Sequence, residues 1–182
     1  MSDTIMMRIR AVLPLIMVTV VLCTWTGLTH AASSTISAVV PWQGQGQIFP
    51  VATDKLRFLG SIEGIMYVET AEGDMNEAFV RCPIVQDIDA TDGSTSASGN
   101  CVIVTSTEDS VFAELTCKGI AGLCSGKFKL TGGTGRFAGI SGSGKVTVRS
   151  PVHALAADLS EGTVLHVAAG ILQIPELNYS LP

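Results

Sequence analysis

The chain has 182 residues, 47% apolar and 15% charged, with a formal net charge of −5 at pH 7. That balance gives no electrostatic reason to seek nucleic acid, which is held by clustered Lys and Arg. The length suits a single hydrophobic core rather than several.

Residues 1–31 read as a secretory signal helix. Arg8 and Arg10 precede an apolar run from Ala11 to Trp25, and Thr29-His30-Ala31 offers small residues for cleavage before Ala32. An uncleaved anchor is the competing reading, against which the run is close to the roughly 18 residues needed to span a bilayer and contains Pro14. Lipid attachment at Cys23 is disfavoured because Leu22, not a small residue, precedes it. Cleavage leaves nine basic and fifteen acidic residues, a net −6, on an exported, periplasmic or secreted protein with no stable membrane insertion.

Residues 32–55 read as an N-terminal arm and a first edge strand. Trp42 with the "QGQGQ" beside it suits an arm whose tryptophan caps a barrel mouth or a subunit contact.

From residue 56 to 182 no stretch holds helical spacing, and period-two alternation recurs. Phe58, Ile62, Met66 and Val68 share one parity, opposite Ser61, Glu63 and Glu69. Val111, Ala113, Leu115 and Cys117 oppose Phe112, Glu114, Thr116 and Lys118, and Val146 and Val148 oppose Lys145, Thr147 and Arg149. Such alternation gives an antiparallel sheet with one dry face. Turn-like breaks at "TAEGDMN", "DATDG", "STEDS", "KGIAGL" and "LSEGT" join the runs as hairpins. The strands fall near 46–51, 56–70, 77–89, 96–106, 110–118, 124–131, 144–158 and 163–175. Eight antiparallel strands can close into an all-β barrel, which removes exposed edges.

Four cysteines follow the signal, and in an exported chain an even number favours disulfides. The midpoint between Cys82 and Cys101 falls inside the "DATDG" turn, and that between Cys117 and Cys124 inside "KGIAGL", so these two pairings are expected as hairpin staples. Cys101 with Cys117, across "STEDS", is the rival. The spacings match no zinc knuckle, and no metal or cofactor is expected.

"LTGGTGRFAGISGSGKVTV", residues 130–148, admits three readings. Gly139 to Lys145 meets the phosphate-loop spacing, but Val146 stands where Ser or Thr must hold magnesium, and a strand follows instead of a helix. A flexible spacer would lack Phe137 and Ile140. A corner remains, in which Gly132, Gly133, Gly135 and Gly139 let the sheet bend and Phe137 plugs the core. The same stretch resembles the glycine-rich signature of the allene oxide cyclase and dirigent families. That resemblance implies an eight-stranded antiparallel barrel with a central apolar cavity, often trimeric, and carries no catalytic residue with it.

Candidate chemistry is sparse. If their parity faces inward, Glu63 and Tyr67 form a polar pair in an apolar pocket, suited to orienting a ligand or moving a proton; if outward, they are solvated. His153 and His166 lie on either side of "LSEGT" and could approach as a pair, or stand as two polar members of a sheet face. The leading expectation is a non-enzymatic barrel that holds a small apolar ligand or assembles through its outer face. The alternative is a cyclase-like isomerase that confines an apolar intermediate beside Glu63.

Overall fold

The computed structural model describes residues 32–151 and 164–182. The expected signal helix, His153 and the turn at 159–163 lie outside the described residues. Eight strands, β1 (Ala32–Ala52), β2 (Lys55–Thr70), β3 (Met75–Asp89), β4 (Ser94–Thr105), β5 (Ser110–Ile120), β6 (Leu123–Gly133), β7 (Ser141–Arg149) and β8 (Val164–Leu181), succeed one another around the sheet. Each is antiparallel to its neighbours, and β1 pairs with β8, so the barrel is closed.

Three strands depart from the sequence expectation, and the simplest case is β7, expected at 144–158, which starts at Ser141 and ends at Arg149 before Pro151. The stretch expected as an arm is part of β1, paired to β2 on one side and β8 on the other from Ile36 onward. Within "QGQGQ" the glutamines point outward while Gly44 and Gly46 face inward, so the alternation is real but its apolar members have no side chain. β8 runs past Pro175 to Leu181 because the strand bulges there: Ile174 pairs with Ala38, yet Leu177 pairs with Ile36. The extra residue keeps both Ile174 and Leu177 buried and puts Pro175, which has no N–H for the ladder, where none is needed.

The dry face fills the barrel. Phe128, Leu115, Ile174, Val146, Cys82 and Cys101 are its most deeply buried side chains. β3 and β4 place Arg81 opposite Val102 and Ile84 opposite Gly99, a register that sets Cys82 directly across from Cys101; the two form a disulfide with Cα atoms 4.1 Å apart. The Cys117–Cys124 disulfide spans 5.5 Å between Cα atoms, diagonally, because Cys117 faces Gly126 and Cys124 faces Gly119. The rival Cys101–Cys117 pairing is excluded by register, since Cys101 faces Ala113 and Cys117 faces Ala97.

The glycine-rich stretch is a corner. β6 bulges as Phe112 pairs with Gly132 but Ala113 with Leu130. A short 3-10 turn, Gly135–Phe137, then reverses the chain into β7, closed by Phe137 N donating to Thr134 O and Ile140 N to Phe137 O. Gly135 and Gly139 hold φ of 52° and 79°, which side chains resist, and a Cβ on Gly135 would strike the Asp109 carboxylate. Ile140, 5% exposed, is the residue of this corner that enters the core, while Phe137 packs against the core from its edge under the Arg136 guanidinium.

Candidate functional site

The β1–β2, β3–β4 and β5–β6 turns share one end of the barrel, and the lumen at that end is incompletely filled. A cavity of about 100 Å³ remains there, walled by aliphatic and aromatic side chains that include Trp42, Phe58, Ile62, Ile84 and Leu115. The Cys117–Cys124 disulfide also faces it. Alternation supplies these groups: even-numbered positions of β1 to β3 and odd-numbered positions of β4 and β5 point inward.

Polar atoms at the cavity are few and mostly matched. Gln86 Nε2 donates to Thr95 Oγ1 at 2.8 Å, and Thr95 Oγ1 donates to the Asp87 carbonyl at 2.9 Å. Ser150 Oγ donates to the Ala169 carbonyl at 2.8 Å. Trp42 differs: the residue is 8% exposed, and among the described residues no acceptor reaches Nε1.

The sequence candidates lie elsewhere. On β2 the inward residues are Phe58, Ile62 and Met66, so Glu63 and Tyr67 take the opposite face and stand on the outer wall. Glu63 Oε1 accepts from Arg81 Nε at 2.7 Å across the β2–β3 ladder, and Tyr67 is 42% exposed. Glu63 bounds an open hollow outside the barrel, not the lumen. The reading of Glu63 and Tyr67 as a polar pair in an apolar pocket is thereby corrected, and with it the buried carboxylate that a cyclase-like step required. Among the described residues the one buried polar residue is Thr95, and no ionisable side chain is buried. His166 belongs to β8, but its side chain, like the whole of His153, lies outside the described residues. Among the described residues no three His, Cys, Asp or Glu side chains cluster as metal ligands.

Charge collects at the rim. Arg57 grips Asp87 through Nε at 2.7 Å and a second nitrogen at 3.2 Å, and Lys55 pairs with Asp89. The Lys55 ammonium, helped by the Thr91 hydroxyl and backbone N–H, holds the Asp89 carboxyl down to about 2. Both pairs join directly facing residues of β2 and β3, so they reinforce the register that turns the apolar parity inward.

Sequence reasoning missed Gln86 and Thr95 as lining residues and placed Trp42 on an arm. A usable signal existed in parity: Gln86 shares its face of β3 with Val80, Cys82 and Ile84, and Trp42 shares its face of β1 with Ala38 and Val40.

Fold and site together define a closed, disulfide-stapled antiparallel barrel with an apolar cavity at one mouth. No protein-family model matches the chain, and neither does any curated protein.

Proposed function

We propose that the protein is an exported barrel that holds a small apolar molecule in its mouth cavity. The observation that carries this reading is the cavity itself, apolar on nearly every side where the remainder of the lumen is packed. Two disulfides suit an oxidising compartment, in agreement with the signal-like leader. A volume of about 100 Å³ is two thirds of the roughly 150 Å³ that encloses benzene, so it takes about four or five heavy atoms: a short compound, or the end of a longer one. The resemblance to the allene oxide cyclase and dirigent families agrees with an apolar interior; the lumen offers no acid or base among the described residues, so holding is favoured over turnover.

Ala97 faces the cavity from β4 and is small enough to test it. Ala97→Leu is expected to keep the barrel and both disulfides while weakening binding of methylenecyclobutane, which has five heavy atoms, at least tenfold, read by methyl shifts in NMR titration. Unchanged binding in the variant, or none in the wild type, would remove the reading.

A second reading, assembly through the outer wall, has its own observation. Ile171, Pro41, Ile65 and Phe79 face one another in turn across β8, β1, β2 and β3, an exposed apolar row where solvated strands carry polar residues. Phe79→Lys would split any such assembly, and a monomer mass for the wild type in sedimentation would dispose of it.

A further inference from the structure

We infer that the molecule held in the cavity presents a neutral acceptor oxygen, a carbonyl or ether, to the indole N–H of Trp42. This rests on the cavity being a ligand site, as proposed above, and adds the chemical class of the ligand.

Buried donors in folded proteins are nearly always paired, because stripping water from an N–H without replacing it is costly. Gln86, Thr95 and Ser150, the other polar side chains facing the cavity, all have protein partners. Trp42 Nε1 has none among the described residues. The ring is also held in place. Trp42 stands opposite Gly64 on β2 and Gly170 on β8, so neither neighbouring strand sets a side chain against it. A Cβ on Gly170 would come within 2.8 Å of Trp42 Cε2, the ring atom bonded to Nε1, and one on Gly44 within 3.4 Å of Cζ3. The indole therefore lies against bare backbone, and the ring that carries the unpaired N–H is one of the groups lining the cavity. Aromatic rings placed over cross-strand glycines are a known way to fix a sheet; here the fixed ring carries the free donor.

Charge narrows the class further. Among the described residues no Lys, Arg or His is buried near the cavity to neutralise an anion, and no carboxylate to neutralise a cation. An ionised group would lose its hydration with no compensation. The enclosed part of the ligand is therefore neutral, apolar in body, and bears an oxygen that accepts.

The test compares cyclobutanone with methylenecyclobutane, five heavy atoms each, which share ring and heavy-atom count and differ by an oxygen in place of a methylene. Both are titrated into ¹⁵N-labelled protein, with the Trp42 indole resonance identified by its loss in Trp42→Phe and, where the leader is retained, by its persistence in Trp25→Phe. The ketone is expected to bind roughly tenfold more tightly and to move the Trp42 N–H resonance downfield, and Trp42→Phe to erase that preference. If Trp42→Phe does not fold, the wild-type resonance still decides. Equal affinities, or a ketone preference with the indole resonance unmoved, would overturn the assignment of the acceptor and leave the cavity reading standing. Failure of both compounds to bind would overturn the cavity reading, and this inference with it.

Discussion

Phe128→Ala is expected to lower the thermal midpoint by roughly 10–15 °C, from a loss of about 3–5 kcal/mol at 2–4 °C for each in a domain of this size. Phe128 is 0% exposed on β6, between Leu115 of β5 and Gly144 of β7. The ring therefore fills space that β7 leaves open by having no side chain there. A barrel wall hydrogen-bonded on both sides cannot move inward to close the gap, so nearly the whole cavity penalty should be expressed. Phe112→Ala is the control: its ring is 40% exposed on the outer face of β5, and its loss should be within about 1 kcal/mol. A void left by the buried ring would be dry and of benzene's shape. Added benzene should then raise the midpoint of Phe128→Ala by more than that of the wild type, since a ligand that binds only the folded state stabilises it and the variant offers a second, better-fitting site. Calorimetry with and without benzene checks both parts; a loss below about 1 kcal/mol would mean that the lumen is loosely filled at this level.

The same packing explains what could be read from the chain and what could not. β5 was legible because "VFAELTC" alternates without interruption, and once Val111, Ala113 and Leu115 face inward, the hairpins on either side follow. β1 was not, because its inward positions at 44 and 46 are glycines, which local propensity scores as loop. Their reason lies across the sheet: Gly46 and Gly60 face each other beneath the Phe58 ring, and Gly170 lies beneath Trp42. Gly60 shares its strand with Phe58, but Gly46 and Gly170 lie on other strands than the rings that cover them, and a short window around either glycine does not contain its ring. Glu63 fell on the polar parity of its strand, so the alternation itself placed it outside; treating it as a site required the opposite parity. The cavity was illegible because its volume is a remainder, left after eight strands contribute side chains of unequal size. The orphan donor was illegible for a related reason, since being unpaired is a property of everything around an atom.

The two disulfides should prove unequal, for a reason that also separates stability from function. Closing a loop with a separation of 19 between Cys82 and Cys101 removes about 3.2 kcal/mol of unfolded-state entropy, against about 2.4 kcal/mol for the separation of 7 between Cys117 and Cys124. Cys82 and Cys101 are 0% and 2% exposed in the packed lumen, so replacing both by Ala also leaves an unfilled gap, worth roughly 1 kcal/mol more. The double variant Cys82→Ala/Cys101→Ala is expected to lose about 4–5 kcal/mol in denaturant titration, and Cys117→Ala/Cys124→Ala about 3 kcal/mol. Their effects on binding should run the other way. The Cys117–Cys124 sulfurs face the mouth cavity, so trimming them enlarges the space offered to a ligand and should change which of two ring sizes binds better. Cys82 and Cys101 do not face that cavity, and their removal should leave the preference untouched so long as the barrel is folded. Were the pair at 82 and 101 to alter ligand preference while the pair at 117 and 124 did not, the ligand would have to sit deeper in the barrel than the mouth, where Phe128 and Val146 now fill the lumen.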